Sequence, residues 1–102
     1  MPFRRGRFLD LVERQLDLFE RDSAALIRDA RAALEAYDGA ERDEAEERYG
    51  DYLDLVEMGQ DELEEIREAY AATLDDDTAE EYRAVFNERA RRRLGLFGLE
   101  LD

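Results

Sequence analysis

The sequence predicts an all-α protein: an antiparallel three-helix bundle with two long helices forming a hairpin, one shorter helix, and an irregular apolar C-terminal tail. Three observations carry this. Apolar and small residues recur at alternating three- and four-residue steps over long stretches, the period of a helix that buries one stripe. Six glycines and one proline in 102 residues leave too little turn material for a β-fold. A 44% apolar fraction beside 43% charged residues fits helices with a buried stripe and a solvated outside.

Helix one is expected over about residues 8–37. Its seam is Leu9, Val12, Leu16, Phe19, Ser23, Leu26, Ala30, Ala33 and Tyr37, with no glycine or proline inside it. Residues 1–7 precede it as a short arginine-bearing arm. Asp38-Gly39 supplies the stop and the turn. Helix two is expected over about 41–74, with Glu41, Asp43 and Glu44 at its positive start. Its seam is Ala45, Tyr49, Tyr52, Val56, Gly59, Leu63, Ile66, Tyr70 and Thr73.

Folding the chain at Asp38-Gly39 sets an expected register. Phe19 meets Gly59, Ser23 meets Val56, Leu26 meets Tyr52 and Ala30 meets Tyr49, so that small faces large. Asp75-Asp76-Asp77-Thr78 separates helix two from helix three, expected over about 79–94, and Thr78 with Glu81 has the form of a capping box. The single domain is expected to span residues 1–102.

Helix three is too short to cover the whole hairpin. It is expected to lie on the first half of helix one and the second half of helix two, over Leu11, Leu18, Leu55, Met58 and Ala69. Ile27, Leu34 and Leu53, with Tyr37, Tyr49 and Tyr52 beside them, are then left without a partner in the chain. A contiguous apolar patch of this kind marks an interface. A homodimer through these six residues, assisted by Phe97 and Leu99 of the tail, is the expected assembly.

The inventory excludes much chemistry. The chain has no cysteine and no histidine, so disulfides, thiolate or imidazole metal sites and Cys–His or Ser–His pairs are absent. Helix two carries carboxylates at helical spacing, among them Glu44, Glu47, Asp51, Asp54, Glu57 and Asp61. Di-iron carboxylate bundles need an inward-pointing Glu-x-x-His, which this chain cannot supply. Neither seam carries an acid, and a general acid–base pair needs a buried one. No cofactor, metal site or catalytic residue is expected, and the protein is expected not to be an enzyme.

All 15 basic residues are arginine, against 29 acids, for a net charge of −14. A GC-rich coding bias or a salt-rich cytoplasm explains such a surface without a ligand. The cluster Arg89, Arg91, Arg92 and Arg93 suits the negative end of helix three and ion pairing with Glu57, Asp61 and Glu64, so nucleic acid is not an expected partner. No apolar run is long enough to span a membrane, and Arg4, Arg5 and Arg7 are not followed by a signal-like stretch. A cytoplasmic protein that self-associates and binds another protein is the expected function. An acidic nucleic-acid mimic that sequesters a basic DNA-binding protein is the alternative.

Overall fold

A computed structural model describes residues 6–97. Among these the secondary structure is entirely helical: α1 (Leu9–Asp22), α2 (Ala24–Asp38), α3 (Ala45–Ala71), α4 (Asp76–Arg93) and a 3-10 turn over Gly95–Phe97. The all-α expectation holds, but the number and ends of the helices differ from the expected three.

The expected first helix is two helices. Ser23 leaves helical geometry (φ −111°, ψ 28°) and separates α1 from α2. Its amide still donates to the Phe19 carbonyl at 2.8 Å, and its carbonyl accepts from Ile27 at 3.0 Å, so the interruption leaves these groups satisfied. Its hydroxyl donates across the molecule to Glu62 Oε1 at 2.6 Å. The break falls where the packing partner changes: α1 lies chiefly against α4, and α2 chiefly against α3. One seam serving two partners gives the break a physical reason.

The hairpin turn is also longer than expected. Residues 39–44 form the connection and α3 starts at Ala45. Glu41 and Asp43 therefore lie in the turn, where Glu44 N–H bonds the Glu41 carbonyl at 2.9 Å. Lengthening the turn slides the register. Ser23 meets Glu62 rather than Val56, and Tyr49 stacks beside Tyr37 (5.1 Å between ring centres) rather than over Ala30.

The α4 start moves the other way. Asp75 is the cap, accepting from Thr78 N–H at 2.9 Å and from the Thr78 hydroxyl at 3.1 Å, and the helix begins at Asp76. The aspartate run caps a helix, but through Asp75 and not through Thr78. The backbone and hydroxyl bonds from Thr78 hold the Asp75 carboxyl below its usual range.

The core is one cluster built from Phe8, Val12, Leu16 and Phe19 on the first part of the chain, Val56 and Leu63 on α3, Tyr82, Phe86 and Ala90 on α4, and Phe97. Phe8, Tyr70 and Tyr82 close its lower end in mutual ring contact. Tyr82 is wholly buried, and its hydroxyl donates to Gln15 Oε1 at 2.8 Å. Burial pushes that hydroxyl up to about 12, although the bond to Gln15 acts the other way.

Candidate functional site

Two faces of the bundle qualify as functional surfaces, and the position of α4 determines both. It lies against α1 and α3, beside the halves expected for helix three, but on the opposite flank. Leu18 and Met58, expected beneath it, are 48% and 52% exposed; Ala69 is exposed, and Leu11 and Leu55 are half-buried. On the occupied flank, arginines of α4 meet carboxylates of α1. Arg89 Nε donates to Glu13 at 2.6 Å, and Arg93 donates to Glu13 at 2.6 Å, Asp17 at 2.8 Å and Glu20 at 2.9 Å. The arginine cluster therefore pairs within the chain as expected of its type, but with α1 and not with Glu57, Asp61 or Glu64. Arg92 reaches Glu88 of its own helix.

These pairs set the local electrostatics. Partial burial pushes Glu13 up, but hydrogen bonds from Arg93 and Arg89 outweigh it and hold the carboxyl below its usual range. Burial would lower the Arg93 pKa, and its bonds to Asp17, Glu13 and Glu20 raise it instead. On the far side of α4, Arg83 donates two bonds to Glu68, both at 2.9 Å, and Arg67 Nε adds a third at 2.7 Å. The Arg83 bonds are the main reason that Glu68 is lowered to about 2; burial opposes them and the Arg67 bond assists. Arg67 is itself buried, with Nη1 donating to the buried Asn87 Oδ1 at 3.0 Å. Nothing in the seams points to this pair, because both residues fall on helix flanks that only the placement of α4 makes interior.

The first candidate surface is the distal arm. The third layer ends where Leu94 comes alongside Ile27 and the Tyr52 hydroxyl donates to the Leu96 carbonyl at 3.0 Å. Beyond that level α2 and α3 continue as a pair. Tyr37, Tyr49 and Tyr52 form a row of rings, with Tyr49 and Tyr52 centred 6.3 Å apart. Tyr49 is 44% exposed and Leu53 37%, while Leu34, Tyr37 and Tyr52 are half-buried. Two of the expected interface residues are covered by the chain itself. Ile27 is buried, and Phe97 is fully buried between Phe19 and Gly59. Leu99 lies outside the described residues.

The second surface is the groove between α1 and α3 on the flank that α4 leaves open. It measures about 550 Å3 and is lined by Gln15, Leu18, Phe19, Asp22, Ser23, Glu62, Glu65 and Ile66. Sequence reasoning missed it by assigning α4 to that flank. Among the described residues no cluster of acids is arranged to hold a metal ion, and no helix is long and apolar enough to cross a membrane. Compared with known protein families, with curated proteins and with solved structures, the chain gave no match.

Proposed function

We propose that the protein is a non-enzymatic helical interaction module that associates with itself through the distal arm. One observation carries this: the molecule has three helical layers at one end and two at the other, and the two-layer end presents Tyr49 and Leu53 to solvent. A pair of helices buries little apolar surface by itself. Two arms laid antiparallel complete a four-helix unit with the tyrosine row inside. Leu34, Tyr37, Tyr49, Tyr52 and Leu53 form the contact in this reading, and Ile27 and Phe97 support it from within.

Sedimentation equilibrium of the purified chain tests this. A dimer is expected, with Tyr49→Glu and Leu53→Glu giving monomers of unchanged helical circular dichroism. A wild-type chain that stays monomeric at high concentration overturns the reading.

The nucleic-acid mimic is supported by one feature, the outer face of α3, where Asp61, Glu62, Glu64, Glu65 and Glu68 lie together. A basic partner that dissociates at moderate salt would favour it.

A further inference from the structure

The geometry points to the open α1–α3 groove as the docking site for a basic amphipathic helix of another protein. This face is separate from the distal arm. The groove on the opposite flank shows what such an occupant looks like, because α4 fills it. There an 18-residue helix buries Tyr82, Phe86 and Ala90 while arginines along its edges grip carboxylates: Arg89 and Arg93 on Glu13, Asp17 and Glu20, and Arg83 on Glu68.

The open groove repeats that composition without a helix in it. Leu18 is half exposed and Ile66 lies partly buried behind it; Leu55 and the half-exposed Met58 continue the same α3 flank beyond the lining residues. On α3, Leu55, Met58, Glu62 and Ile66 recur at three- and four-residue steps, so they form one flank of the helix. Glu65 and Glu62, whose Oε1 accepts from the Ser23 hydroxyl, line the α3 wall with no basic side chain among the lining residues. The α1 rim differs: exposed Arg14 lies one turn from Leu18, and Arg21 sits 3.1 Å from Asp22. The groove is thus polarised. It suits a helix with an apolar face, arginine or lysine along its α3 edge, and acids or neutral groups along its α1 edge. The α4 of a second copy does not meet that description, since its Arg83, Arg89 and Arg93 are already paired within the fold.

A synthetic peptide of the same length as α4, with leucines at three- and four-residue spacing and arginines along one edge, is the probe. Its affinity for the full chain is measured by fluorescence anisotropy at about 150 mM salt. Binding is expected, with a scrambled peptide of equal composition at least about tenfold weaker. Leu18→Asp and Met58→Asp are the informative variants. Both positions are half exposed, so the fold tolerates them, and both make the protein more acidic. A docked helix loses about tenfold in affinity for each. Charge attraction alone leaves affinity unchanged or raises it, and that result overturns the proposal. So does absence of binding, or equal binding of the scrambled peptide.

Discussion

The ring of Phe97 occupies the space that a side chain at Gly59 would need. A Cβ built on Gly59 would lie 2.6 Å from Phe97 Cδ1 and 2.8 Å from Cζ. The Phe97 carbonyl accepts from Gln60 Nε2 at 2.5 Å, which fixes the turn over the glycine. Phe19, expected to fill this place, instead meets Phe97 edge-on at 6.1 Å and 79°. The mid-helix glycine does make room for a phenylalanine, but for the one that follows α4.

Gly59→Ala is therefore expected to destabilise the protein. Alanine is better in a helix by about 1 kcal/mol, but overpacking costs about 1–3 kcal/mol. Phe97→Ala should cost about 3–5 kcal/mol. In the Phe97→Ala background, Gly59→Ala should turn stabilising by up to about 1 kcal/mol, since only helix propensity remains. Urea denaturation of the four proteins reads this cycle. Additive effects would show that the two residues do not compete for space.

Asn87→Ala should cost about 1–3 kcal/mol, because it strips a buried arginine of its acceptor. Replacing both members, as Arg67→Met with Asn87→Leu, should recover most of that loss, since a buried polar pair is often matched by packed apolar groups. Thermal melts of the single and double variants make the comparison. A double variant less stable than Asn87→Ala would contradict it.

Acid should weaken the α3–α4 contact over a defined range. Glu68 falls from 4.5 to about 2 on folding, so its contribution is fully present above about pH 4.5 and is lost as pH falls toward 2. The carboxylate is partly exposed, and solvent screening limits the effect to on the order of 1 kcal/mol. Glu68→Gln should be less stable than wild type at neutral pH and close to it at pH 2. Denaturation midpoints across that range test the convergence.

Salt should act in opposite directions on the two proposed surfaces. Between residues 38 and 51 the arm carries seven acids against Arg42 and Arg48. Two such arms repel, so self-association should tighten as salt rises, while binding of an arginine-edged peptide to the α1–α3 groove should weaken. Sedimentation and anisotropy over a common salt series measure both slopes.

What was legible in the sequence follows from what periodicity encodes. The steps of three and four placed Val12, Leu16, Phe19, Val56, Leu63, Tyr82 and Phe86 on interior faces, and each is buried. Periodicity is silent on which flank of a hairpin takes a third helix, because both flanks can be closed by packing. The apolar excess at Leu11, Leu18, Leu55 and Met58 pointed to one flank, and pairing of Arg89 and Arg93 with α1 carboxylates decided for the other. The register slipped for a local reason. Asp38-Gly39 looks like a complete turn, yet the chain spends residues 39–44 on the connection. The break at Ser23 had one trace, a lone hydroxyl in an otherwise apolar seam.

That break divides the molecule unequally. α3, 27 residues long, runs through both halves, whereas the chain opposite it is interrupted. One half holds α1, α4 and the end of α3 around Tyr82 and Phe86; the other holds α2 and the start of α3 around the tyrosine row. Halves joined along a single continuous helix open with different free energies. Amide exchange in α2 and in the first turns of α3 should proceed through local opening, while the amides around Leu63 wait for the whole molecule to unfold. Anything that clasps the arm would then slow exchange in one half of the protein and leave the clock of the other unchanged.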